Sequence, residues 1–240
     1  MLLSMRRAGG RRAFSSQRQG SPLGSRIPDR MSSKDSRIVD PNLLPMVVEP
    51  VTLEGQNIRL EPLSIHHHAQ LCEVGLDDEL WRWIPQAVGT TDEMRAYIET
   101  ALEWQAAGTA LPFATIERVT GRAIGSTRFG NIDRANRHVE IGWTWLGKKW
   151  QRTAANTEAK YLMLRHVFEA WRCLRVEFKT DSLNERSRAA LLRIGAKEEG
   201  ILRNHVITWT GRIRHSVYYS IIDSEWPALK AHLQHKLRLS

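Results

Sequence analysis

Two neighbouring stretches place polar and charged residues where they could handle an anionic ligand. The first is Val139-Glu140-Ile141-Gly142-Trp143-Thr144-Trp145-Leu146, and the second, just beyond it, is Gln151-Arg152-Thr153-Ala154-Ala155-Asn156-Thr157-Glu158. Their order reads as a strand, a turn-rich loop and the start of a helix. The first N–H groups of a helix have no intrahelical partner, and the helix dipole favours negative charge in front of them. Lys148, Lys149 and Arg152 add positive charge at the same place. An ordinary solvated loop is the competing reading of those three cations.

A ligand matched to this layout carries a pyrophosphate, an amide-bearing arm and a carbonyl on which charge develops, as in a thioester such as acetyl-CoA. The arm needs a strand edge to pair with, and the carbonyl needs an N–H donor. Trp143, Thr144, Trp145 and Leu146 supply the edge and an N–H near Trp145. Gln151, Arg152, Thr153, Ala154, Ala155 and Asn156 supply the phosphate cradle, and the helix read as starting at Thr157 supplies the dipole. An acceptor amine must lose a proton to attack, so a general base is required. Glu140 is the first candidate, since strand alternation puts it on one face with Gly142 and Thr144. A solvent-facing glutamate is the plain alternative, and Glu177 on the next strand is the second candidate.

The elements around these segments follow from periodicity and punctuation. Thr52–Leu63 reads as a strand or hairpin and His66–Leu76 as a short helix. Trp81–Pro85 reads as a loop, because proline and the residue before it resist helix. Thr90 or Thr91, with Glu93, caps a helix that stops at Gly108. Pro112–Val119 and Ala123–Ile132 are strands about a Thr120-Gly121 turn, and Val139–Leu146 completes that antiparallel set. Apolar residues at 159, 162, 163, 167, 170 and 171 have helical spacing over Thr157–Trp171. Leu174–Thr180 is a strand, Asn184–Ile194 a helix closed by Gly195, Leu202–Thr210 and Ile213–Ile222 a hairpin, and Ser224–Leu237 a last helix. Antiparallel strands with a helical crossover in the middle give a mixed sheet of α+β class.

Composition narrows the function classes. The net charge of +9 suggests a nucleic-acid partner. Residues 1–30, however, hold seven Arg and one Asp, a net of +6, which leaves only +3 on the other 210 residues. Nucleic acid is therefore an unfavoured partner, resting on the tail alone. Residues 1–50 are rich in Arg, Ser, Gly and Pro and read as a disordered basic tail. They suit either a mitochondrial transit peptide or an over-extended start upstream of Met31. No apolar run is long enough to span a membrane. Cys72 and Cys173 have no metal or disulfide spacing, which points to a reducing compartment and a cytoplasmic location, with the mitochondrion as the alternative. His66-His67-His68 point in different directions on a helix and read as a surface cluster.

Residues 52–225 resemble the GNAT superfamily of N-acetyltransferases, and within it the branch of the ribosomal-protein Ser/Ala N-acetyltransferases. The family's loop is Gln/Arg-x-x-Gly-x-Gly/Ala. Here Gln151 fits, Ala154 replaces the glycine, and Asn156 replaces the last small residue. Thr157-Glu158-Ala159, Asn184-x-x-Ser187 and Gly195-Ala196-x-x-Glu199-Gly200 match the branch. The resemblance implies a GNAT fold over 51–225 with a terminal helix in 226–240, acetyl-CoA as co-substrate and no metal. It also implies a primary amine acceptor, either a small molecule or a protein N-terminus, and a possible homodimer. It assigns Asn184 to the cofactor and Ser187 to a position near the departing sulfur. Helix capping is the competing role for both. Trp81 and Trp83 fall where the family has substrate-facing elements, with core packing as the alternative. The replacements at Ala154 and Asn156 leave a second reading open: a non-catalytic GNAT-fold module for acyl-CoA binding or protein interaction.

Overall fold

Alternating apolar residues draw the central strands into one sheet with a helical layer on each side. The computed structural model describes residues 37–40 and 43–239. The transit-peptide and alternative-start readings of the tail fall on residues outside that range. From Leu44 onward the chain forms one unit. A short hairpin, β1 (Leu53–Glu54) and β2 (Ile58–Pro62), leads to helix α1 (His68–Gly75) and a single turn, α2 (Asp78–Trp81). That turn ends at Trp81, where the expected loop to Pro85 begins. The Asp77 side chain accepts the Glu79 N–H and caps the turn. Helix α3 (Thr91–Ala106) opens on a capping box in which Thr90 and Glu93 exchange hydrogen bonds.

Strands β3 (Leu111–Glu117), β4 (Ala123–Asp133) and β5 (His138–Leu146) form the expected meander. Helix α4 (Ala155–Arg165) runs on through a π-helical turn, His166–Ala170, to β6 (Arg175–Asp181). Helix α5 (Glu185–Arg193), the hairpin β7 (Lys197–Ile207) and β8 (Ile213–Ile222), and helix α6 (Trp226–Leu237) complete the chain. Helix α4 starts two residues earlier than expected, and β7 starts at Lys197 instead of Leu202. Helix α6 buries Trp226 and Leu233 in the main core, so the terminal helix is part of the domain.

The sheet order is β1-β2-β3-β4-β5-β6-β8-β7. Every neighbouring pair is antiparallel except β5 and β6. One core lies under α4 and α6 and takes Val139, Ile141, Val176 and Phe178 from the sheet. The other lies under α1 and α3 and takes Ala114, Ile116 and Trp145. Glu158 ties the layers together. It is fully buried, and its carboxylate accepts N–H groups of Gln56, Asn57 and Ile58 at the β1–β2 turn. Gly55 leaves room for it, because a Cβ there would come within 2.7 Å of Glu158 Oε1.

Two features of β5 prepare the site. Its parallel pairing with β6 covers only His138↔Arg175, Val139↔Val176 and Glu140↔Glu177, so Ile141–Leu146 leaves β6 behind. Against β4, Ser126 faces Trp145 and Arg128 faces Gly142, so Trp143 and Thr144 together oppose Thr127. This is a β-bulge, and Trp143 adopts φ +49° within it. The bulge breaks strict alternation.

Candidate active site

The stretch of β5 that β6 does not cover leads, through residues 147–154, to the N-terminus of α4. Gln151 Nε2 donates to Leu146 O at 3.1 Å and fastens the loop to the end of the strand. Thr153 Oγ1 donates to Trp150 O at 2.7 Å and accepts the Ala155 N–H at 3.2 Å. The first intrahelical bond runs from Glu158 N–H to Ala154 O, so the N–H groups of Asn156 and Thr157 point out of the helix end. Ala154 has φ −66°, where an L side chain is unstrained, so the expected glycine is not needed there. The left-handed position is Arg152, at φ +63°. Lys148 lies 4.0 Å from Asp77 and Lys149 stands over the Trp150 ring. Arg152 has no acidic partner among the described residues.

The bulge divides the β5 side chains between the two helical layers. Thr144 turns to α4, where Lys160 Nζ donates to its hydroxyl at 2.6 Å and Thr127 Oγ1 lies 2.7 Å away. Lys160 is buried, and burial pulls its pKa from the ordinary 10.5 to about 7, against an opposing pull from Glu140. Trp143 and Trp145 turn to α3. The Trp145 ring packs on Trp81 and Tyr97, and that of Trp143 meets Trp104 edge to face at 5.5 Å. Glu140 and Gly142 keep one face as expected, but Thr144 does not share it, because the bulge adds a residue between them.

Glu140 is 2% exposed. Its Oε2 accepts from Asn131 Nδ2 at 2.6 Å and pairs with Lys179 Nζ at 2.9 Å. Its Oε1 lies against Gly142, where a Cβ would come within 2.8 Å. The Lys179 ammonium also stands 5.6 Å from the Trp143 ring centroid. The guanidinium of Arg128, one residue past the bulge on β4, lies 5.2 Å from the same centroid. Glu177 sits opposite Glu140 in register and is engaged by Arg175 at 3.4 Å.

Farther along β6, Asp181 is fully buried and pairs with Arg212, while Arg214 Nε lies 4.0 Å away. Arg214 Nη1 donates to Trp83 O at 3.2 Å, and Arg212 stands over the Trp83 ring at 5.6 Å. Trp83 is thus joined to Arg214 on β8 and to Arg212 just before it. Trp81 is corrected from lining to core: it is 1% exposed, and its Nε1 donates to Gly75 O. Asn184 Oδ1 accepts the Ser187 N–H at 3.1 Å, which is the capping role that competed with cofactor contact. In the triple-histidine run, His67 turns to Ser64 and Glu61 while His68 meets Thr91 O.

The residues that sequence reasoning missed are Lys160, Lys179, Asn131 and Arg128. Lys179 carried a signal, as Arg175, Glu177 and Lys179 make a charged face alternating with buried Val176 and Phe178. Lys160, a lysine within an apolar helical run, carried a weaker one. Nothing in the spacing joins Asn131 or Arg128 to the site, since register alone brings them there.

Residues 57–197 match the acetyltransferase (GNAT) domain family. A Bacillus subtilis protein named "Putative ribosomal N-acetyltransferase YdaF" is 34% identical over 110 residues, which cover 46% of this chain and 59% of that protein. The chain therefore spans less than two thirds of that relative. A crystal structure of a GCN5-related N-acetyltransferase from Brucella melitensis is 32% identical, with a TM-score of 0.74 over 81% of this chain and 89% of that one. Mycobacterium smegmatis RimJ, solved in complex with CoA-disulfide, shares the fold at 24% identity and a TM-score of 0.66, over 75% of this chain and 89% of that one. With more than half of its length matched, this chain belongs to the GNAT family of acetyltransferases.

Proposed function

We propose that this chain transfers an acetyl group from acetyl-CoA to a primary amine by direct attack within a ternary complex. One observation carries the reading: β5 departs from β6 just past Glu140, and its open edge leads into the bare N-terminus of α4. That arrangement fits the ligand's parts. The edge from Trp143 to Leu146 would take the amide arm, and residues Gln151–Thr157 would take the pyrophosphate, with Arg152, which has no acidic partner among the described residues, as a cation for it. Acetyl-CoA supplies the activated acyl group, and the chain supplies position and proton traffic.

An N–H near Trp145 would polarise the thioester carbonyl. Glu140, oriented by Asn131 and Lys179, would take the amine's proton, directly or through one water. Ser187 would stand near the departing sulfur, with Asn184 capping its helix. The new C–N bond forms as the C–S bond breaks, and CoA leaves as a thiolate. The acceptor would enter from the α3 side, where Trp83, Trp104 and Trp143 lie.

The test is a steady-state assay of CoA release against a panel of amines and N-terminal peptides. Acetyl-CoA-dependent turnover is expected for at least one amine class, with Glu140→Gln slowed at unchanged acetyl-CoA affinity. Acetyl-CoA binding without turnover on any amine would favour the interaction-module reading instead.

A further inference from the structure

Two buried cations at the bulge meet no carboxylate among the described residues: Lys160, whose ammonium is taken by the Thr144 hydroxyl, and Arg128. Glu140 holds Lys179, and Asp181 holds Arg212 beside Arg214. Of the two cations without a carboxylate, Arg128 alone has a buried N–H, its Nε–H, without any acceptor among the described residues. It is 1% exposed, and no carboxylate among the described residues meets its guanidinium. Aromatic rings surround it instead, with centroids at 5.0 Å for Tyr97 and 5.2 Å for Trp104 and Trp143. Ring faces attract a cation, yet they offer no lone pairs to the in-plane N–H fork. A guanidinium fork matches a carboxylate or phosphate, and a buried one without an anion is an incomplete site.

The place of Arg128 gives this meaning. It pairs in register with Gly142, two positions from Glu140 on the same face. The Trp143 ring lies between 5 and 6 Å from both the Arg128 and the Lys179 cations, so Arg128, Trp143, Lys179 and Glu140 form one contiguous cluster. Trp104 is 37% exposed and Trp143 half-buried, so two of the rings packed on the guanidinium reach the surface.

We infer that Arg128 binds an anionic group carried by the acceptor, which makes the acceptor class an amine bearing a carboxylate or phosphate. Naming the bound molecule as the acceptor rests on the acetyltransferase reading; the anion site by itself does not.

The test uses matched probes on the purified full chain: β-alanine against β-alaninamide, and O-phosphoethanolamine against ethanolamine. In at least one pair the charged member is expected to have kcat/KM higher by roughly tenfold or more. Arg128→Gln is expected to collapse that ratio toward one through the KM of the charged member, while Arg128→Lys keeps part of it. Equal use of both members by the wild type, or an Arg128→Gln loss shared equally by both, would overturn the inference.

A turnover-free arm measures stabilisation by propionate and by methyl phosphate without acetyl-CoA, with calorimetric acetyl-CoA binding as the folding control. Stabilisation of the wild type but not of Arg128→Gln by one of them is expected, and it identifies the anion. The same response from both proteins refutes the site even if amines are acetylated. Arg128-dependent stabilisation without acetylation of any amine would keep the anion site and remove the acetyltransferase reading.

Discussion

The two faces of β5 at the bulge are built from different materials. Toward α4 lie backbone N–H groups, the hydroxyls of Thr127 and Thr144, and a lysine whose pKa falls to about 7. Toward α3 lie Glu140, Lys179 and Arg128, full charges drawn from three strands and packed among aromatic rings. The first face suits a ligand with invariant parts, because backbone donors do not depend on side-chain identity. The second suits discrimination, because each charge can be altered by one substitution. In the proposed reaction the first face holds acetyl-CoA and the second chooses and deprotonates the amine.

If the faces are separable in this way, Glu140→Gln should give the largest effect. Turnover is expected to fall by roughly 10²–10⁴-fold, the range for loss of a general base, while calorimetric acetyl-CoA affinity holds. A parallel loss of affinity would merge the two faces. Next comes Glu158→Ala, which leaves the β1–β2 turn donors of Gln56, Asn57 and Ile58 without their acceptor. A loss of about 1.5–3 kcal/mol in urea unfolding is expected, the range for hydrogen bonds to a charged group. A loss below about 1 kcal/mol would mean that solvent replaces the carboxylate.

Lys160 tests the low-charge character of the α4 face. Its folded pKa is lowered, so between about 7 and 10.5 the unfolded chain binds the proton that the folded chain has lost. Stability should therefore rise with pH in that window, by up to about 1.4 kcal/mol per unit. Lys160→Met should remove that slope, so the wild type gains on the variant as pH rises from neutral. Parallel stability curves would mean that the lysine stays charged when folded. The smallest effect is expected for Gly130→Ala, whose Cβ would lie 2.3 Å from the Trp143 ring. Overpacking of about 1–3 kcal/mol is expected in thermal unfolding, and no change would show that the ring has another seat.

The strand, loop and helix start on the α4 side were legible in the sequence, while Lys160 and most of the α3-side charges were not, for a physical reason. A strand, loop and helix start that follow one another are legible because their contacts are local, as with Gln151 reaching Leu146. The Thr90–Glu93 box and the Gly195 stop at φ +88° are local in the same sense. Glu140 entered as a candidate because it lies inside the same strand. Arg128, Asn131 and Lys179 reach it only through strand register, and one bulge decides which side chains share a face. That bulge also sent Thr144 to α4, against simple alternation. For Trp81 the family's substrate-facing position and core packing competed, and Tyr97 and Trp145 decide for the core by enclosing the ring.

The central claim is that the β5 edge and the α4 N-terminus hold acetyl-CoA independently of the α3-side charges. The most direct measurement is calorimetric titration of acetyl-CoA into the wild type, Arg152→Glu and Glu140→Gln. Micromolar binding is expected for the wild type and Glu140→Gln, with binding weakened by roughly tenfold or more in Arg152→Glu, where an anion now faces the pyrophosphate. No binding by the wild type, or equal binding by Arg152→Glu, would contradict the placement of the ligand at this loop.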